Sequence, residues 1–205
     1  MGRWRTAILF AILASISIEG KAGGLEQPTQ TFTHVGVALQ AVRQAFNIST
    51  GFEATASDPD NAPITLDLSG TDIVRVFDSI VSQRPVYMWA VENGVYDIYP
   101  KNPRDRISEM SIMTYVVKDA SPQEASDAIT RLSEFDRWLS EHHVTRSEII
   151  SGRRWGVHPE QTKISLDLHG VSLRAILNQL IGKVGDNEWA IFRWGDKMQF
   201  VAVYF

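Results

Sequence analysis

Apolar positions recur with the same spacing in two stretches of the chain that lie 100 positions apart. The first stretch reads Ile64-Thr-Leu-Asp-Leu-Ser-Gly70 and the second reads Ile164-Ser-Leu-Asp-Leu-His-Gly170. The correspondence continues in register to the pairs Ile73/Leu173, Val76/Ile176, Phe77/Leu177, Ile80/Leu180 and Trp89-Ala90/Trp189-Ala190. A pattern that repeats in register predicts one folding unit that occurs twice.

The first unit is predicted over residues 25–100 with the order β-α-β-β-α-β-β. Ile64, Leu66 and Leu68 alternate with polar residues, as in a half-buried strand that ends at Gly70. A helix capped by Asp72 follows, and Asn93-Gly94 favours a type I′ hairpin turn. The predicted apolar faces of the two helices are Ala38, Ala41, Val42, Ala45 and Phe46, and then Ile73, Val76, Phe77, Ile80 and Val81.

The second unit is predicted over residues 109–205 with the same order. Ser121-Pro-Gln-Glu124 is a capping box with proline at the first helical position. An insertion around residues 133–162 is predicted to hold an extended helix tail through Phe135, Trp138 and Leu139, a weak strand near Ser147 to Ile150 and a surface loop from Gly152 to Pro159. The last hairpin is expected to turn at Gly195-Asp196. The segment from Pro100 to Arg106 is polar and charged and holds two prolines, and residues 101–108 are interpreted as a short, semi-rigid linker. The predicted fold class is therefore α+β, with two tandem small modules.

Residues 1–22 are typical of an export signal. Arg3 and Arg5 precede an apolar run from Ala7 to Ile18, and Gly20-Lys-Ala22 is an acceptable small-x-small cleavage site. The run is shorter than the ~20 residues that a membrane span needs, so we expect no transmembrane segment after signal removal. A retained signal anchor is the alternative interpretation. The mature protein is expected in the periplasm or outside the cell.

Charge and cysteine content exclude two classes of function. Loss of residues 1–22 would take the formal net charge from −4 to −6, because three basic and one acidic side chain leave with them. An acidic balance repels phosphate backbones, so we expect no nucleic-acid partner. The chain has no cysteine, which excludes disulfides, thiolate catalysis and thiolate metal sites.

The histidines do not form a predicted site. His142 and His143 are adjacent, and neighbours on a helix point about 100° apart, which does not suit one metal ion. They are interpreted as an exposed helix end. His169 stands where the other unit has Ser69, so no general base is required at that position.

The acidic residues suggest no reaction either. Asp67 and Asp167 occupy matched polar positions in separate units, and they are interpreted as solvated residues rather than as a catalytic pair. The Ser57–Asn61 segment lacks the calcium-loop pattern and favours a turn. No phosphate-binding loop, HExxH or GxSxG motif occurs. We therefore predict no catalytic residue, no metal, no cofactor and no enzymatic activity.

Aromatic residues leave two binding hypotheses open. A set on the predicted hairpins could form a polysaccharide-binding platform, although core packing is the more common role: Tyr87, Trp89, Tyr96, Tyr99, Trp189, Trp194 and Tyr204. The loop that contains Arg153, Arg154 and Trp155 is basic and aromatic and occurs only in the second unit. These three residues are the candidate contact with a partner protein.

The order of these elements resembles the short N-terminal domain of secretins and TonB-dependent transducers, the STN domain. The resemblance is carried by Ile64 to Gly70, Ile73 to Ile80, Tyr87 to Trp89, Asn93-Gly94, Val95 to Tyr99 and the lead from Phe32 to Phe46, and again from Ile164 to Gly170 onward. It covers residues 25–100 closely and 110–205 loosely, so the second copy is divergent. It implies a periplasmic module without catalysis, which docks on envelope proteins or on neighbouring copies through sheet edges and helix faces. Secretion, uptake signalling and envelope scaffolding all remain open as its pathway.

Overall fold

The computed structural model describes residues 29–55, 58, 63–70, 72–146, 162–184, 188–194 and 197–204. The helices in these ranges are α1 (Val35–Phe46), α2 (Ile73–Gln83), α3 (Pro122–Ile129), α4 (Ser133–Glu141) and α5 (Leu173–Val184). The strands are β1 (Thr29–Phe32), β2 (Ser49–Glu53), β3 (Ile64–Asp67), β4 (Tyr87–Glu92), β5 (Val95–Pro100), β6 (Ser111–Ala120), β7 (Thr145–Arg146), β8 (Ile164–Ser172), β9 (Glu188–Trp194) and β10 (Lys197–Tyr204). The predicted α+β class is confirmed.

Strands pair in the same way before and after residue 105. The first strand of each half pairs antiparallel with a later one, β1 with β3 and β6 with β8. The last two strands of each half form an antiparallel pair, β4 with β5 and β9 with β10. The second strand of each half runs parallel to the last one, β2 beside β5 and β7 beside β10.

One further pairing joins the two halves. Strand β2 also runs parallel to β9, so the described strands form a six-stranded sheet in the order β4-β5-β2-β9-β10-β7. The pairs β1-β3 and β6-β8 remain two-stranded. The halves therefore meet edge to edge within a single sheet.

The two hydrophobic cores lie on opposite faces of this sheet, because successive side chains of a strand alternate between its faces. Phe52, Ile98 and Ala190 contribute to the core that α1 and α2 cover. Val95, Trp189 and Ile191 contribute to the core that α3, α4 and α5 cover. Strands β5 and β9 thus serve both cores, and each half helps to cover the other.

Local signals in the sequence correctly placed several caps and turns. The Asp72 side chain accepts a hydrogen bond from the Arg75 amide at 3.2 Å, and Ser121 forms the complete capping box with Glu124. Asn93 and Gly94 have the positive φ angles of a type I′ turn, 55° and 80°. On α5, the four apolar positions that match the repeat are buried, Leu173, Ile176, Leu177 and Leu180, and so is Ile181.

Other details differ from the prediction. The buried apolar face of α1 consists of Val35, Ala38, Leu39 and Val42, whereas Ala45 is exposed. The helix begins at Val35, about one turn before Ala38, the first residue of the predicted apolar face, and the His34 ring caps it by accepting a hydrogen bond from the Val37 amide. Strand β3 ends at Asp67, but β8 continues past Gly170 to Ser172.

The predicted linker is ordered, and it ends inside the protein. Pro103–Asp105 form a 3-10 turn, and Ile107 and Ser108 are fully buried. In the predicted insertion, Phe135, Trp138 and Leu139 lie on a helix as predicted, but this helix is the separate α4 and not a tail of α3. The two-residue strand β7 follows it. The predicted strand near Ser147, the loop from Gly152 to Pro159 and the turn at Gly195-Asp196 lie outside the described residues.

The helices of the described chain are short relative to a bilayer. Among them, we find none with the length and apolar character needed to cross a membrane.

Candidate functional site at the joint between the halves

A buried polar cluster lies where β2 meets the second half of the chain. It consists of Gly51, Glu53, Asp97, Asn178 and Trp189, and we call these five residues the joint. Gly51 lies opposite Asp97 of β5 on one side and opposite Trp189 of β9 on the other. Asn178 reaches the cluster from α5. The joint thus draws on three strands and one helix.

Glu53 ties β2 to the segment that connects the halves. Its carboxylate accepts hydrogen bonds from the Ile107 amide at 2.5 Å, from the Ser108 amide at 3.4 Å and from the Ser108 hydroxyl. Burial raises the pKa of Glu53 to about 7, against the lowering effect of these three donors, and the nearby charge of Glu109 raises it further. The carboxyl therefore changes charge near neutral pH.

Asp97 begins a chain of side-chain hydrogen bonds across the joint. Its Oδ2 accepts from Asn178 Nδ2 at 2.7 Å, and Asn178 Oδ1 accepts from Trp189 Nε1 at 2.6 Å. Burial raises the pKa of Asp97 to about 7, although the Asn178 hydrogen bond and the Arg174 charge lower it. Its second oxygen, Oδ1, has no hydrogen-bond partner among the described residues.

Gly51 allows these groups to approach the backbone. A Cβ atom at this position would lie 2.2 Å from Asp97 Oδ1 and 2.4 Å from the Trp189 ring atom Cε2. Both distances are shorter than real Cβ contacts, so the Asp97 carboxyl and the indole occupy the space that any side chain would take. The absence of a side chain is therefore the property that β2 needs here.

Arg174 of α5 lies beside the joint and contacts the segments around it. Its guanidinium lies 3.1 Å from Glu92 Oε2 and 2.9 Å from Glu109 Oε1. It also lies 4.6 Å from the ring centroid of Tyr99, which Arg106 approaches at 5.0 Å. These contacts connect α5 with β4, with β5 and with the segment between the halves.

Each half contains the same tryptophan hydrogen bond. Trp189 donates to Asn178, and Trp89 donates from Nε1 to Asp78 Oδ1 at 2.9 Å. Donor and acceptor are 11 residues apart in both cases. Each tryptophan thus fixes its strand to the helix that precedes it.

The partner-binding residues predicted from the sequence cannot be placed in this geometry. Arg153, Arg154 and Trp155 lie outside the described residues, and their role remains a prediction.

The other residues considered in the sequence have local roles. Asp67 accepts hydrogen bonds from the Ser69 hydroxyl and amide, which hold its pKa below the usual value. Asp167 lies 2.8 Å from His169 Nε2, and both are exposed. His142 stacks on Trp138 with ring centroids 3.9 Å apart. Within the described ranges, no three metal-binding side chains group together.

Most of the aromatic side chains considered for a sugar platform are enclosed. Tyr87, Tyr99 and Trp189 are buried. Trp89 and Tyr96 are half-buried and pack on Phe77, with ring centroids 5.3 and 5.1 Å away. The side chains of Trp194 and Tyr204 lie outside the described part of the protein. The five placed rings therefore act in packing.

Sequence reasoning missed the joint. The predicted element order of the first unit includes β2, but the sequence pattern indicates no role for Glu53, Asp97 or Asn178. One signal was available in the sequence of β5. Asp97 lies between Tyr96 and Ile98, and Val95 and Tyr99 lie on its own side of the strand. Apolar residues on both sides of a strand are typical of a strand that is covered on both faces, so Asp97 could have been predicted to be buried.

Comparisons with known proteins identify no relative of this chain. No family model matches the chain, and neither a curated protein nor a solved structure matches it. The likeness to STN domains therefore rests on the sequence pattern alone and remains an expectation.

Proposed function

We propose that the chain is an exported, non-catalytic protein-interaction module of the cell envelope, built from two tandem STN-like modules. The observation that carries the proposal is the parallel pairing of β2 with β9. Two halves with the same internal pairing attach to each other through strand edges. A fold that joins its own halves in this way is suited to joining other proteins in the same way.

The two carboxyls with raised pKa support a structural role. Glu53 and Asp97 are almost completely enclosed, and their oxygens face the backbone and side chains of the joint. A substrate would have to open the contact between the halves to reach them. Their shifted pKa values are therefore accounted for by burial within the joint.

The cellular location and the partners follow from the sequence. The pattern of residues 1–22 favours the periplasm or the exterior, and the partners proposed are envelope proteins or further copies of this chain. Arg153, Arg154 and Trp155 remain the proposed partner contact. The pathway could be secretion, uptake signalling or scaffolding.

Cross-linking in intact cells tests this function. The full chain should be recovered from the envelope fraction in covalent complexes, and Trp155→Ala should reduce their yield several-fold without changing the melting temperature, because interface tryptophans often dominate binding. Met113→Ala is the matched control, since it removes an exposed apolar side chain elsewhere.

Two results would contradict the proposal. Equal yields of complexes from Trp155→Ala and from the unchanged chain would remove the assigned contact. Retention on peptidoglycan with release by soluble sugar, in the absence of protein complexes, would favour the polysaccharide-binding alternative.

A further inference from the structure

Strands β4 and β9 occupy equivalent places in the two halves, but their outer edges differ. Each pairs antiparallel with the strand that follows it. The other edge of β9 carries β2, whereas no described strand pairs with the other edge of β4. Strand β4 therefore forms one end of the six-stranded sheet. The equivalent edge of β9 is occupied by β2.

The side chains of β4 are also more exposed to solvent than those of β9. Trp189 and Ile191 of β9 are each 0% exposed. Their counterparts, 100 positions earlier, are Trp89, which is half-buried, and Val91, which is 50% exposed. Apolar side chains that β2 helps to cover at β9 are thus partly open to solvent at β4.

The sequence of β4 does not block strand addition. Natural edge strands are often protected by lysine, proline or a covering group, and β4, Tyr-Met-Trp-Ala-Val-Glu, contains neither lysine nor proline. Strand β3 is protected differently, because the Gln83 side-chain amide donates to the Thr65 carbonyl and accepts from the Thr65 amide, both at 2.9 Å.

We propose that the outer edge of β4 binds an extended segment of a partner protein, which runs parallel to β4 and places a glycine opposite Trp89. This inference rests on the proposed interaction function and assigns it a surface. The direction follows from β2, which runs parallel to β9. The glycine follows from Gly51, which is paired with Trp189 and is overlain by its indole.

The free end strand of a second copy does not meet this requirement. Strand β7 consists of Thr145 and Arg146, and the nearest glycine in the sequence is Gly152, six positions beyond Arg146. Strand β7 of a second copy therefore has no glycine to place opposite Trp89, and the occupant that we propose is a glycine-bearing strand from another protein.

A synthetic peptide with the sequence of residues 47–55, Asn-Ile-Ser-Thr-Gly-Phe-Glu-Ala-Thr, tests the proposal with the full chain. It should slow amide hydrogen exchange in β4 and leave exchange in β9 unchanged. Replacing its glycine with valine should weaken binding about tenfold or more, because overpacking a close contact costs roughly 1–3 kcal/mol.

Two controls keep the test independent of protein folding. In the structure, the Ala54 amide donates to the Ile191 carbonyl at 2.7 Å, so a peptide N-methylated at Phe52 and Ala54 should not bind to β4. The Trp89→Ala protein should reduce the difference between the glycine and valine peptides to about threefold or less, because the overlying indole is gone.

Three results would overturn the proposal. They are equal affinity of the glycine and valine peptides for the unchanged protein, peptide-induced protection outside β4, and concentration-dependent self-association that the peptide competes away. None of them alters the envelope cross-linking that tests Trp155, so the proposed function would stand or fall separately.

Discussion

Replacing Gly51 with alanine is expected to destabilise the protein by about 3 kcal/mol, because overpacking of a dense core forces its neighbours to move. The new Cβ would meet Asp97 Oδ1 on one side and the Trp189 ring on the other. Trp189 is fully buried, and its Nε1 is fixed by Asn178, so the ring has no free space to enter. Strand β2 cannot retreat either, since it is paired with β5 and β9. Urea unfolding of the full chain measures the loss.

Gly182→Ala is the matched control for this substitution. Gly182 lies on α5, and nothing lies within 4 Å of the position where its Cβ would be. Alanine there should stabilise the protein by about 0.5–1 kcal/mol, because glycine is a poor helix former. The same chemical change is thus expected to have opposite signs at the two sites. A loss of less than about 0.5 kcal/mol for Gly51→Ala would mean that the joint repacks freely, contrary to its geometry.

Local structure could be predicted from the sequence because its causes are local. Asp72 and Ser121 cap helices through atoms three residues away, and Asn93-Gly94 sets the turn by its own backbone preference. The predicted face of α1 was right at Ala38 and Val42, which are buried, but not at Ala45, which is exposed. Ala41 and Ala45 were counted as core positions, although a small apolar side chain is nearly as compatible with a half-exposed site as with a core.

The joint could not be predicted in the same way, because its partners are distant in sequence. Glu53 bonds to Ser108, and Gly51 meets Trp189, so their roles depend on how the two halves meet. The repeat was informative about the pairing within each half but not about the contact between them. In the second half Val201 pairs with Ala190, as Asp97 pairs with Ala90 in the first half, so the buried carboxyl of the joint has no counterpart there.

The joint makes the two halves interdependent. Val95 belongs to the first half by sequence and packs in the core of the second, and Ala190 does the reverse. An edge-to-edge sheet contact with covered faces on both sides shields its backbone hydrogen bonds from water. Such a contact is more sensitive to buried charge than a surface contact is, and the two carboxyls of the joint are the charges in question.

Stability is expected to fall as the pH rises from about 5 to about 8, which is opposite to the usual effect of paired surface carboxylates. Burial raises the pKa of both Glu53 and Asp97 to about 7, from ordinary values of 4.5 and 3.8. Between pH 5 and pH 7, the two carboxyls stay protonated in the folded protein but are ionised in the unfolded chain. The stabilisation is complete below the unfolded pKa values and is lost as the pH passes 7. The loss is roughly 2–3 kcal/mol for each carboxyl.

Neutral isosteres test this pH dependence. The double variant Glu53→Gln, Asp97→Asn should be more stable than the unchanged chain at pH 8, and its free energy of unfolding should vary less between pH 5 and pH 8. The charged groups around the joint, Arg174, Glu92 and Glu109, remain in place in this variant. Asp167→Asn is the control, since Asp167 is an exposed carboxylate on β8 and should leave the slope unchanged. An equal slope in the double variant would show that the joint carboxyls are ionised at pH 5. Their burial would then be offset by the donors around them, and the contact between the halves would respond to packing rather than to protonation.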